Sequence, residues 1–230
     1  MDRIYTTNVV GFDKVKHIAN RDFSEVIAKA RKMDGFARTV EPARYLTVGF
    51  NHRSIVPEHI ISAMKAGDLS HIFLIGGCDG AEWSRNYYTD LADLTPDDSL
   101  ILTMGCAKNR FVRNEELKDT TLANGLPRVL DMGQCNDAYS AIVVAKELSK
   151  ALNCDINDLP LSLVLSHLEQ KAAAVLLTLL HLGFKNIRLG PKLPAFISPN
   201  VLEILQKEYN LMPVSKNPQD DLVHMLSSTN

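Results

Sequence analysis

The chain has 230 residues, of which 46% are hydrophobic and 23% charged, with a formal net charge of −2. Such a length can bury a sizeable core as one large domain or one domain with an appendage, and the near-balanced charge gives no electrostatic reason to expect nucleic acid or an anionic membrane as a partner. No stretch approaches the roughly 18 uninterrupted apolar residues of a membrane span, and "MDRIYTTNVVGFDKVKHIANRDF" lacks the apolar run of a secretory signal. A reducing, cytoplasmic compartment is therefore expected, and Cys78, Cys106, Cys135 and Cys154 read as thiols or metal ligands rather than disulfides.

Residues 1–44 carry one helical pattern, at about 22–33, and no strand that would pair locally. They are expected to form an appendage or the remnant of a preceding domain. From 45 to 230 the pattern is regular. "YLTVGF" (45–50), "HIFLIGG" (71–77), "SLILTMG" (99–105), "RVLDMG" (128–133), "LSLVLS" (161–166) and "NIRLG" (186–190) are apolar at nearly every position. That is what parallel strands covered on both faces require. Helical patterns lie between them at about 57–66, 84–93, 136–152, 168–182 and 200–209. Strand and helix in alternation predict an α/β fold: a doubly wound, mostly parallel sheet flanked by helices. "LEQKAAAVLLTLLHL" is apolar nearly all round and predicts a buried helix, with Gly183 placed to stop it. "NYY" (86–88) reads as packing aromatics, and the last residues as one short helix.

Three cysteines share one context. Cys78 follows "FLIGG", Cys106 follows "LILTMG" and Cys135 follows "VLDMGQ", at separations of 28 residues (78 to 106) and 29 residues (106 to 135). Each interval is about one strand–helix–strand unit, so the three thiols are expected along one edge of the sheet, where ligands gather outside the carboxyl ends of the strands. Gly77, Gly105 and Gly133 precede them and would let the backbone approach a bulky inorganic group. The plainer alternative is that each is a small buried hydrophobe. Cys154 breaks the pattern and reads as structural. Cys135 opens a helix, a position that favours the thiolate. The absence of any CxxC pair speaks against zinc. Dispersed soft ligands fit iron–sulfur ligation better, and a redox thiol site stays open.

"SHLEQKAAA" (166–174) follows the fifth strand of this series. Ser166 and Glu169 fit a capping box, which is the local reading of Glu169. Alternatively Glu169 is an oxygen ligand and Lys171 a proton donor or charge partner, which requires an irregular first helical turn or a ligand on the helix axis, because residues two apart do not share a helix face. "GGCDG" is not a dinucleotide fingerprint, and the seven histidines form no H-x-x-x-H or H-E-x-x-H pair.

"GGCDGA", "GC-AKNRF", "DMGQCNDAYSA", "LSHLEQKAA" and "NIRLGPKLPAF-SPN" together resemble the C-terminal part of the hybrid cluster proteins, also called prismane proteins or hydroxylamine reductases, over about residues 40–215. The resemblance implies a cytoplasmic oxidoreductase of nitrosative-stress chemistry with a hybrid iron–sulfur–oxygen cluster of four irons. Its reaction is reduction of hydroxylamine to ammonia, or of nitric oxide to nitrous oxide, with electrons from an external donor protein. By position, Cys78 matches the persulfide-bearing cysteine, Cys106 and Cys135 match two further cysteine ligands, Glu169 matches the glutamate ligand and Lys171 a lysine beside the cluster. The family takes a histidine, a glutamate and a cysteine from an upstream domain, and holds a second, N-terminal iron–sulfur cluster. Nothing here corresponds to either, so a truncated chain, or a partner chain supplying the missing ligands, is expected. Ala107 stands where the family has glycine. Two other readings of the same residues are a cluster-free α/β module that binds a partner protein, and a thiol redox or metal sensor using Cys78, Cys106 and Cys135 alone.

Overall fold

A strand that is apolar on every residue satisfies itself only when both faces are covered, and the central sheet is built that way. The computed structural model describes residues 3–7, 9, 11–35, 57–117 and 119–227. The chain divides into units Met1–Leu46 and Thr47–Asn230.

In the second unit the described elements run α2 (Pro57–Ala66), β3 (His71–Gly77), α3 (Asn86–Leu94), β4 (Ser99–Gly105), β5 (Val129–Asp131), α4 (Ala138–Leu152), β6 (Leu161–His167), α5 (Gln170–His181), β7 (Ile187–Pro191), α6 (Pro199–Tyr209), β8 (Met212–Pro213) and α7 (Pro218–Ser227). The sheet order is β5-β4-β3-β6-β7-β8, with every pairing parallel. Alternate residues of each strand feed opposite cores. Ile72, Leu74, Leu102 and Leu163 pack with residues of α2, α4 and α5, such as Ile60, Val144 and Leu176. Phe73, Ile75, Ile101 and Val164 pack with Tyr88 and Leu91 of α3 and Leu222 and Met225 of α7. The sheet is doubly wound, as expected.

The chain order sets a reversal. From β3 the chain steps outward to β4 and β5, then returns to the other side of β3 as β6 and continues outward again. The crevice at the carboxyl ends of β3 and β6 is therefore the topological switch point.

Tyr87 and Tyr88 are buried and meet edge to face, with centroids 5.2 Å apart. They are packing aromatics, and Tyr87 also donates to Asp221 Oδ2 at 2.7 Å, tying α7 to α3. The helix expected to be buried all round is not. Leu176, Leu179 and Leu180 of α5 are buried, while Leu177 faces solvent at 50% exposure. One face of α5 suffices to cover the sheet, and its apolar outer face is surplus to that need.

In the first unit, β1 (Tyr5–Thr7) and β2 (Lys16–Ile18) pair in parallel, followed by α1 (Ser24–Arg31). This corrects the expectation that no strand pairs locally in residues 1–44. Three-residue strands are too short to show a period, and a side-chain contact helps to join them: Thr6 Oγ1 meets His17 Nδ1 at 3.0 Å, while Lys16 of β2 forms an ion pair with Glu25 of α1. The strand expected at 45–50 lies outside the described residues.

Candidate functional site

The register of the sheet does most of the work of assembling the site. Gly77 pairs with Gly105 across β3 and β4, and with Ser166 across β3 and β6. The amide of Cys78 donates to the Ser166 carbonyl at 2.8 Å, and that of Gly105 to the Gly133 carbonyl at 2.9 Å. Four strand ends are thus joined backbone to backbone. Cys78 and Cys106 follow β3 and β4 directly, Cys135 follows the loop after β5, and Glu169 follows β6.

Two of the glycines have a packing reason of their own. Gly105 adopts φ 72° and ψ −157°, a conformation essentially reserved for glycine. A Cβ there would meet the Gly77 carbonyl oxygen at 2.5 Å and Cys135 Sγ at 3.0 Å. At Gly77, with φ 116°, a Cβ would collide with the Ser166 carbonyl oxygen. These residues let neighbouring strand ends and the Cys135 sulfur come close to one another.

Cys78 is buried, Cys106 is exposed and Cys135 is intermediate; all are free thiols. Cys135 lies in the 3-10 turn Cys135–Asp137, which is closed by a capping box: the Asp137 carboxylate accepts from the Gln134 amide at 2.7 Å. The expected ease of ionisation at Cys135 is not found. Burial pushes its thiol up, the neighbouring Cys78 and Cys106 and then Glu169 add to the rise, and Lys171 opposes it. Desolvation and these neighbours outweigh one helical turn. Cys78, Cys106, Cys135, Glu169 and Lys171 thus share one electrostatic neighbourhood.

Glu169 does not form the capping box its motif suggested. It is itself the N-cap of α5 in extended conformation with no side-chain cap bond, and Ser166 lies within β6. Because Glu169 precedes the helix, it reaches Lys171, with Nζ 3.4 Å from Oε1. This ion pair raises the Lys171 pKa. Both side chains line an open groove of about 690 Å³ with Leu168 and Phe196. Cys135 lines a separate cavity of about 30 Å³ with Gly77, Met104, Ser166 and Val175. Cys154 stands apart, its amide bonded to the Ser149 carbonyl and its carbonyl to Ser149 Oγ.

Sequence reasoning missed the groups that brace these turns. Arg110 donates from Nε to Asp79 Oδ1 at 2.7 Å and from Nη2 to the Gly80 carbonyl at 3.2 Å, locking the turn after Cys106 to the turn after Cys78. Lys108 pairs with the buried Asp131 at 3.0 Å, and Asp131 Oδ1 accepts from the Gly133 amide at 2.7 Å. The only available signal was charge placed directly after apolar runs.

Among the described residues, no three or more His, Cys, Asp or Glu side chains are grouped to hold a single metal ion. Soft thiols at adjacent strand ends with one carboxylate nevertheless match, in donor type, a cluster that spans several metal centres. The residues fit an iron–sulfur group on that chemistry.

Comparison with known proteins places the fold and the family. The model of the Prismane/CO dehydrogenase family matches residues 1–223. Curated relatives named hydroxylamine reductase include those of Maridesulfovibrio salexigens, 52% identical over 97% of this chain, and Moorella thermoacetica, 50% identical over 98%. The chain spans 41% and 52% of their respective lengths. Among solved structures, carbon monoxide dehydrogenase IV from Carboxydothermus hydrogenoformans superposes with a TM-score of 0.71 at 16% identity, covering 98% of this chain and 44% of the other. The carbon monoxide dehydrogenase of Thermococcus sp. AM4 gives 0.69 at 20% identity, covering 98% and 42%. These two show the shared fold. The chain belongs to the Prismane/CO dehydrogenase family.

Proposed function

We propose that this chain holds part of a hybrid iron–sulfur–oxygen cluster of four irons, in a protein that reduces hydroxylamine to ammonia and water, or nitric oxide to nitrous oxide and water. The observation that carries the reading is the convergence of three thiol-bearing turns and one carboxylate at the switch point of the sheet, in a chain 52% identical to a hydroxylamine reductase. When bound, such a cluster would supply electrons to the substrate.

Cys78, Cys106 and Cys135 are the soft ligands in this reading, and Glu169 the oxygen ligand. The bracing pairs Arg110–Asp79 and Lys108–Asp131 hold the turns still, so that the ligands keep their spacing when a cluster enters. Lys171, its pKa raised by Glu169, keeps its proton on Nζ at neutral pH and places a positive charge beside the groove. The remaining ligands come from a further domain or partner chain, the electrons from an external donor protein, and the protein works in the cytoplasm.

A second reading, a partner-binding module, draws support from apolar exposure near the same turns: Leu168 and Phe196 line the groove, and Trp83 is 87% exposed. A thiol sensor is less well supported, because a reactive thiol needs a lowered pKa and Cys135 has a raised one.

Anaerobic reconstitution with iron and sulfide decides among them. The proposed function predicts multi-iron uptake with a paramagnetic signal, lost in Cys135→Ala, and hydroxylamine consumption with reduced viologen once the complementary domain is supplied. A chain that takes up no iron under these conditions refutes the cluster reading.

A further inference from the structure

We infer that Arg85 is a positioning residue that fixes the Cys78 turn against the Glu169 turn. The inference rests on the reading in which these two residues serve one site. The Arg85 side chain is fully buried, at 0% exposure, in the short turn Trp83–Arg85 that follows the Cys78 loop. Burying a guanidinium is costly unless its donors are met. Here Nη1 donates to Ser166 Oγ at 2.8 Å, Nη2 to the His167 carbonyl at 3.2 Å, and Nε to Glu82 Oε2 at 2.7 Å.

Each acceptor belongs to one of the two turns. Ser166 and His167 end β6 and lead directly to Glu169, and the Ser166 carbonyl takes the amide of Cys78. Glu82 belongs to the loop that leaves Cys78. It is held down to about 2 by Arg85 first and then by Lys192, whose Nζ lies 3.2 Å from Oε1. Arg85 is thus a rigid three-pronged brace between the thiol-bearing and carboxylate-bearing strand ends. The planar fork suits this task, whereas a lysine offers a point charge and no fixed span.

Gly80 supplies an independent sign that the brace is built into the loop. A Cβ at Gly80 would overlap Glu82 Oε2 and lie 2.9 Å from Arg85 Nε. The last glycine of "GGCDG" therefore makes room for the ion pair rather than for a ligand.

Amide hydrogen exchange on the full chain without metal tests the role directly. The amides to follow are Cys78, bonded to Ser166, and Ala172 and Ala173, which donate to the Glu169 carbonyl. Arg85→Gln and Arg85→Lys are both expected to speed exchange at these amides by about tenfold or more, since retained charge does not restore the fork. Gly80→Ala, which keeps the arginine but displaces it, is expected to do the same. Leu148→Ala, at the far end of α4, lowers global stability and is the control that should leave their relative protection unchanged. If Arg85→Gln exchanges within about twofold of the unaltered chain at all three amides, compared at equal global stability, Arg85 has no positioning role. Iron uptake separates this result from the cluster reading. A chain that binds no iron but shows the exchange pattern loses the cluster and keeps the brace; iron uptake without the pattern does the reverse.

Discussion

Replacing Gly105 by alanine tests how tightly the strand ends must meet. The substitution carries two costs. The backbone at φ 72° and ψ −157° is nearly closed to residues with a side chain, and holding one there costs about 1–3 kcal/mol. The new methyl would also lie 2.5 Å from the Gly77 carbonyl oxygen and 3.0 Å from Cys135 Sγ. The first contact is with backbone already paired in register, so relief requires β3 and β4 to part, at about 1–3 kcal/mol for an overpacked interior. Together these give roughly 2–6 kcal/mol. Gly125 is the matched control: its φ is +81° and nothing lies within 4 Å of its added Cβ. Gly125→Ala therefore pays only the conformational cost, about 1–2 kcal/mol. Urea unfolding of the metal-free chain, followed by circular dichroism, reads both differences. If Gly105→Ala costs no more than Gly125→Ala, the strand ends have slack and the close approach of Cys135 is not enforced by packing.

The opposite end of the sheet carries a pH dependence. His71 is buried, meets Ser162 Oγ at 2.9 Å, and has its pKa lowered to about 4 by burial, with Asp98 opposing. Since the folded value lies below the unfolded value of about 6.5, this group's contribution is complete above pH 6.5 and is lost as the pH falls toward 4, about 3 kcal/mol in all. Urea midpoints across that range should show the slope in the unaltered chain and not in His71→Gln; equal slopes refute it. Tyr87→Phe removes a donor from the buried Asp221 and should cost about 1–3 kcal/mol by the same assay. Asp137→Ala opens the capping box around Cys135 and should lower iron uptake more than it lowers stability, which costs about 1 kcal/mol for a lost cap.

The strands at 71–77 and 99–105 could be read from sequence to the residue because both faces of each are buried, so apolarity starts and stops with the strand. β8 could not, since Met212–Pro213 has two residues and takes its place from β7. Likewise β1 and β2 depend on each other across the chain and carry no period of their own. At the site, the cysteines were visible because they repeat at the spacing of the fold. The braces were not: Arg110 reaches Asp79 and Arg85 reaches Ser166 across sequence distances that leave no local mark. The capping-box motif at Ser166 and Glu169 misled for a related reason. A buried arginine takes the serine hydroxyl that a cap would have used, and the strand runs on through it.

The absence of a single-ion grouping among the described residues and the presence of three thiols at adjacent strand ends are two aspects of one geometry. Parallel strands sit about 4.8 Å apart, so side chains issuing from neighbouring ends are held at multiples of that spacing unless the turns fold inward. The turns here are braced, and the Cys135 sulfur comes in against the end of β4, where a Cβ on Gly105 would lie 3.0 Å from it. Asp79–Arg110, Lys108–Asp131 and the Asp137 cap each tie a cysteine-bearing turn to its own strand end or to the next. On the proposed reading, donors held in that way suit a cluster of several metal centres, which brings its own breadth. Burial first, and then the neighbouring Cys78 and Cys106, raise the Cys135 thiol, and a bound cationic core would oppose that rise. The sheet supplies the spacing and the braces hold the turns, an arrangement that suits the proposed cluster.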